Sequence, residues 1–548
     1  MNFFSLIAAM PLILAPLPGM AQDKHRAIGA QLGEVHFATS CDAVAQGDFD
    51  RAVAMLHSFQ FSRAIDEFDA ALADDPTCAI AYWGIALSDW TNPFAPGDKD
   101  KGQLQRGREN IERGNSVGAK TERERSYVAA VGQLFSDFES SPQRVRFLAY
   151  RDAMRDVAAK YPEDREAQIF YALALAASQD PADKSYRARL EAGAILENLS
   201  AEEPMHPGIA HYIIHAYDVP ALAGRALVAT KRYAEIAPDA PHALHMPSHT
   251  YTRMGYWQES IESNAAAAAA ARREGQTDEE LHASDYEVYA YLQTGKDEAA
   301  ARIVKSLAEI AARFDPKATL KGAGGPAVGF FAIAAIPARY ALERQDWTLA
   351  GQLKVLESPF PYTTAMTWFA RGIGAARLGQ AAAADEAALA LQQIRERLST
   401  ANEPYWARQV EIQELAVAAW AAFAAGNKQA ALRQMASAAA LEDGTEKSVV
   451  TPGPLAPARE LLGEMFLESG QPARALEQFE ATLKEEPRRF RSLYGAALAA
   501  KLIGKRTMSR RYFRELLKVC AGADNPGRLE LKEARDTSGM PPRRRASS

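Results

Sequence analysis

Along most of this chain apolar residues return every three to four positions, the spacing that gathers them on one face of an α-helix. Segments such as DREAQIFYALALAAS and ARLEAGAILENL show this in the first half, and ARALEQFEATL shows it near the end. Gly, Pro, Asn and Asp interrupt the runs at short intervals, so the pattern predicts many short helices joined by tight connections. The helices come in pairs, and some pairs recur at a fixed interval. His211 and His215 return 34 residues later as His245 and His249, and the units starting at Ala456 and Phe490 are also 34 apart. Such a period marks a stacked helical repeat, in which each unit buries its apolar face against its neighbours.

The pattern is clearest in LHSFQFSRAIDEFDAAL, DPTCAIAYWGIA, HPGIAHYIIHAYD, APDAPHALHMPSHTYTRMG, PARYALER and TPGPLAPARELLGEMFLESGQPARALEQFEATL. These stretches resemble tetratricopeptide repeats, helix–turn–helix units of 34 residues. More narrowly, they resemble an exported bacterial family of such repeat proteins. The resemblance implies an all-α, right-handed solenoid of antiparallel helix pairs over residues 22–523; it implies export and supplies no reaction. The repeat asks for a small residue at position 8, Ala at 20, an aromatic or large residue at 24 and Pro at 32. Small residues let paired helices approach, and the Pro stops the second helix. Units in this register fall at 45–76, 77–96, 207–240, 241–275, 281–314, 331–360, 365–398, 412–442, 456–489 and 490–520. Between 102 and 200 the period is looser. WTNPFAPGDKDKG breaks it as a loop, and GAGGPAVG (322–329) reads as a linker. EKSVVTPGPLAP (446–457) stretches one interval from 34 to 44 residues. It reads as a connecting loop, with closure over the inner groove as the alternative.

Composition narrows the picture. A chain of 548 residues exceeds one ordinary globular core, and 48% hydrophobic residues suffice for a continuous solenoid core. A net charge of -6 argues against general nucleic-acid binding. No charge precedes Asp23, and a short apolar run ends in Gly19-Met20-Ala21. Residues 1–21 therefore read as a signal peptide cleaved after Ala21, which places the protein in the periplasm or outside the cell. No later stretch reads as a membrane span. In an oxidising compartment Cys41 and Cys78 can form a disulfide, the alternative being two buried thiols. Residues 524–548 carry Pro, Gly, Ser and Arg without periodicity and read as a disordered tail.

The candidate chemistry lies in the histidines. Six of the ten fall between positions 206 and 249. The resemblance implies that positions 2, 5, 9 and 12 of each first helix line a concave groove. That register selects His211, His215 and Asp218, then His242, His245 and His249, then His282, Asp285 and Tyr289, and finally Arg339. Spacings of three, four and seven return to one helix face, so the imidazoles can converge. Neutral imidazole binds transition metals, and an i,i+4 pair can chelate, which makes His211, His215, His245 and His249 the metal candidates. Zinc or copper suits such a site, with Asp218 or Asp285 as a ligand or as the group orienting one. The same groove can instead take a small molecule, a peptide or an exported protein partner, with Arg339 meeting a carboxylate or phosphate. A metal-dependent enzyme is a further alternative, although HExxH is absent and no Glu stands beside the His runs as an obvious base. A scaffold without a chemical site is another. The plainest alternative is a hydrogen-bonded packing ladder with Asp218 and Ser248 as partners.

Overall fold

Local signals set the helix ends. In the computed structural model, which describes residues 30–538, all regular structure among the described residues is helical. Thr121 caps the helix Glu122–Phe135 in a reciprocal capping box with Glu124. Gly255 and Gly275, with φ of 66° and 69°, end the helices Pro247–Met254 and Trp257–Glu274 in the left-handed region that favours glycine.

Successive helices pack as antiparallel pairs of the tetratricopeptide type. Gln46–His57 pairs with Phe61–Asp74, Thr277–Gln293 with Asp297–Ala312, Pro404–Ala424 with Lys428–Asp443, and Phe490–Leu502 with Arg506–Val519. Close approach explains the small residues of the repeat. A Cβ on Gly84 would lie 2.1 Å from the ring of Phe68, and one on Gly463 would lie 2.9 Å from Phe479. Both phenylalanines occupy position 24 of their repeats. Between Val328 and Ala534 most buried apolar side chains join one continuous core, including Leu391, Trp420 and Phe479.

Several elements depart from the sequence pattern. Four helices begin ahead of the repeat starts, at Thr277, Gly325, Pro361 and Pro404. Gly325 lies inside the glycine-rich stretch read as a linker, so its second half is helix. The second helix of the 331–360 unit shrinks to Trp347–Gly351. The tail read as disordered carries a helix, Leu529–Ser538, with Leu531 and Ala534 fully buried. Ion pairs from Arg528 to Asp297 and from Arg491 to Glu530 hold it, which weak local periodicity did not reveal. Residues 1–21, read above as a signal peptide, and residues 539–548 lie outside the described residues. Cys41 and Cys78 are joined in a disulfide. Gly325–Glu343 is the one helix among the described residues long and apolar enough to cross a membrane. It packs between Thr277–Gln293 and Pro361–Arg377 and carries the fully buried Arg339.

The insertion at 446–457 decides how the inner face is used. It runs over the His repeats as a strap. Tyr286 Oη donates to the carbonyls of Val449 and Thr451 at 3.0 and 3.1 Å, and Arg339 donates to those of Gly453 and Pro454 at 3.2 Å. Glu442 Oε2 accepts from the Ala458 amide at 2.7 Å and so ties the two ends of the insertion together.

Candidate metal centre

Four helical segments supply six imidazoles. His211 and His215 project from Pro207–Ala216, His242 and His245 from Pro241–His245, His249 from Pro247–Met254, and His282 from Thr277–Gln293. Pro247 splits the first helix of its repeat because it lacks an N–H. Met246 stays helical at φ -53° and ψ -36°, so His245 and His249 keep their i,i+4 relation across the break. None of the six is more than 6% exposed. The groove expected to be open is closed here by the strap.

The imidazoles form two clusters, each with donor atoms within 4.8 Å of one another: His211, His215 and His242, then His245, His249 and His282. The four histidines selected as one chelating set are thus divided between two sites. Each site takes an i,i+4 pair from one repeat and the position-2 histidine of the next. Fold periodicity therefore generates the second cluster from the first. The rings remain neighbours across the divide, with His215–His249 and His242–His245 centroids both 6.0 Å apart.

Hydrogen bonds fix the tautomers of His245 and His249 in the second cluster. Asn264 Nδ2 donates to the Ser260 carbonyl at 2.7 Å, which turns Asn264 Oδ1 toward His245 Nδ1 at 2.8 Å. His245 Nδ1 must therefore carry the proton. His249 Nδ1 donates to Asp218 Oδ2 at 3.0 Å. A neutral imidazole holds a single proton. Both Nε2 atoms are then lone-pair acceptors, yet they face each other at 3.0 Å. Two ligands of a tetrahedral zinc ion lie about 3.4 Å apart, given Zn–N bonds near 2.0–2.1 Å. The pair lies about 0.4 Å inside that spacing. Burial and the neighbouring imidazoles hold His245 well below its usual pKa, burial lowers His249 despite Asp218, and burial takes His282 down to about 3.

Asp218 acts from behind the cluster. Pro207–Ala216 ends before it, so Asp218 does not share a helix face with His211 and His215 as expected. It sits in the following turn, gripped by Arg253, whose Nε meets Oδ1 and whose Nη2 meets the Asp218 carbonyl, both at 2.9 Å. Burial works against its charge, but Lys447, Arg253 and His249 outweigh that and hold the carboxyl well below the usual range. Ser248 is not the expected partner, since its buried hydroxyl makes no hydrogen bond.

The first cluster is less satisfied. His211 Nδ1 donates to the His57 carbonyl at 2.7 Å, and His242 Nδ1 approaches Glu279 Oε2 at 3.3 Å. The other nitrogens of both rings, and both nitrogens of His215, are buried without a hydrogen-bond partner. Each costs about 1–3 kcal/mol if nothing meets it. The period-breaking loop at 91–100 reaches this site, stacking Phe94 on His215 at 4.1 Å between ring centroids.

Asp285, Tyr289 and Arg339 do different work. Arg339 makes a paired contact to Asp285 at 3.0 and 3.2 Å, so its expected anionic ligand is an internal carboxylate. Tyr289 donates to Glu486 and accepts from Arg489, which is itself bidentate to Glu460. These three brace the strap and the neighbouring repeats, away from the imidazoles.

Other residues escaped the repeat register. Glu279 precedes the unit start at 281, and Tyr286 falls at position 6. Asn264 stands as a lone amide in an alanine run at position 24, a signal the sequence does contain. His57, Glu166 and His206 form a third group, with Glu166 accepting from both rings at 2.9 Å. His57 Nδ1 meets Tyr212 Oη and His206 Nδ1 accepts from the Ile209 amide, so this group is satisfied internally.

No protein-family model matches this chain, and no curated protein sequence matches it. Among solved structures it is similar to the human IFIT1 dimer with m7Gppp-AAAA, at 10% identity and a TM-score of 0.35, over 88% of this chain and 98% of that one. It is also similar to the APC/C hetero-tetramer Cut9-Hcn1, at 12% identity and a TM-score of 0.31, over 90% of this chain and 89% of that one. Likenesses this remote carry nothing about ligand or partner, and the helix-pair solenoid rests on the packing described above.

Proposed function

We propose that this chain is an exported metal-binding repeat protein that holds a transition-metal ion inside its solenoid, at His245, His249 and His282. The observation that carries this reading is the facing pair of Nε2 atoms at 3.0 Å, with both Nδ1 protons committed elsewhere. All-imidazole ligation without thiolate suits zinc or copper. Asn264 and Asp218 orient the ligands from behind, as outer partners of metal-bound histidines do. The ion ties one repeat to the next, because His282 comes from the following unit. The N-terminal segment and the Cys41–Cys78 disulfide support export.

Stacked helix pairs present extended surfaces to other proteins, and protein binding is the coarser role this fold supports. At the His repeats the strap occupies the inner face, so an external peptide has to compete with residues 446–457. Catalysis needs a route from solvent to the ion, and burial of all six imidazoles works against it.

The test is metal content by mass spectrometry on mature protein purified without a histidine tag, then calorimetric titration with zinc and copper. The expected result is stoichiometric binding that His249→Phe weakens. A protein that binds neither metal, and whose thermal midpoint ignores both, overturns the proposal.

A further inference from the structure

We infer that His211, His215 and His242 hold a second ion of the same class, so that the chain carries a neighbouring pair of nitrogen-ligated metal ions. This inference rests on the metal reading of the second cluster but stands on separate observations. Four nitrogens of the first cluster are buried without a hydrogen-bond partner, and His215 contributes two of them. A fully satisfied packing ladder would leave none. His211 Nδ1 is committed to the His57 carbonyl, and that leaves its Nε2 lone pair for a cation. His242 Nδ1 is backed by Glu279, again leaving Nε2 free to ligate.

Charge points the same way. Glu279 is 3% exposed, and its hydrogen-bond partners are His242 and the amides of Ala323 and Gly324. A divalent cation on His242 would place positive charge directly behind this buried carboxylate. Asp218 serves the second cluster but is already balanced by Arg253 and by Lys447 at 3.9 Å. Each cluster thus has its own carboxylate behind one of its imidazoles. The two sites repeat the same plan, one helical unit apart. Their rings approach to 6.0 Å, so two ions held there are close enough to interact.

Copper(II) is the probe, because it reports both stoichiometry and proximity. Full-length mature protein is loaded with copper(II), bound metal is counted by mass spectrometry, and the electron paramagnetic resonance spectrum is recorded at each step. The expected result is two equivalents per chain, with the spectrum broadened or silenced as the second equivalent binds. His215→Phe keeps an aromatic ring against Phe94 and removes the ligand nitrogens; it should bind one equivalent with an isolated-ion spectrum. If wild type and His215→Phe both bind one equivalent, the second ion is refuted while the single centre stands. If neither binds copper, the single centre fails as well. If circular dichroism shows His215→Phe unfolded, Glu279→Gln replaces it. That variant should weaken one of two equivalents about 10–100-fold. Equal affinity for both equivalents in that variant overturns the inference.

Discussion

The repeats at 207–293 and those at 361–519 share one helix-pair plan and bury opposite chemistry. In the later repeats the interior is dominated by Leu391, Phe479 and a wealth of alanine, with a charge network around Arg489 and a few scattered polar atoms, such as Trp420 Nε1, that no hydrogen bond meets. In the earlier repeats equivalent first-helix positions are imidazoles, several with nitrogens that nothing in the protein meets. Apolar burial stabilises a stack wherever it occurs. Unsatisfied polar burial does the reverse, so it persists where something outside the chain completes it. The contrast is one of concentration: four unmet imidazole nitrogens converge on one cluster in the earlier repeats, whereas the later repeats scatter theirs.

The two regions should answer perturbation differently. Phe479→Ala removes a ring that fills the space between Gly463 and Gly495, and should cost about 3–5 kcal/mol in denaturant unfolding. That loss should be the same with and without zinc. A metal-dependent loss would mean the late repeats are not an independent scaffold. Zinc should stabilise the wild type by about 2.7 kcal/mol for each ion bound at 100 times its Kd. Hydrogen exchange should place that protection in residues 207–293. Asn264→Leu keeps bulk but removes the acceptor for His245 Nδ1, so metal affinity should fall about 10–100-fold. Unchanged affinity in calorimetry would show that Asn264 merely packs.

A further prediction concerns the strap. Burial, with Asp443 and Glu486 nearby, pushes the Glu442 carboxyl up to about 8. The folded protein then holds a proton that the unfolded chain releases near pH 4.5. That contribution to stability is full below pH 4.5 and fades as pH rises toward 8. Glu442→Gln should flatten this decline in thermal midpoints taken between pH 5 and 8. A decline as steep as the wild type's would assign the titration to another group.

Much of the scaffold was legible because helix periodicity and repeat spacing are local properties of a chain. The 34-residue return of the His pair and the small residue opposite an aromatic both survive into the packing, as Gly84 and Phe68 show. The docked helix at 529–538 was not legible, since long-range ion pairs hold it rather than a strong apolar face. Partner choice was not legible either. A repeat register says which side chains share a wall, but it does not say that Asp218 turns to His249 or that Asp285 belongs to Arg339.

The order of residues alone thus settled a helical-repeat scaffold and a concentration of imidazoles at matching positions, because both depend on spacing along one dimension. Only the folded chain decided that those imidazoles divide into two groups of three, with a strap from two hundred residues away lying across them. Those outcomes depend on which distant groups meet when the stack closes, and no local periodicity encodes that encounter.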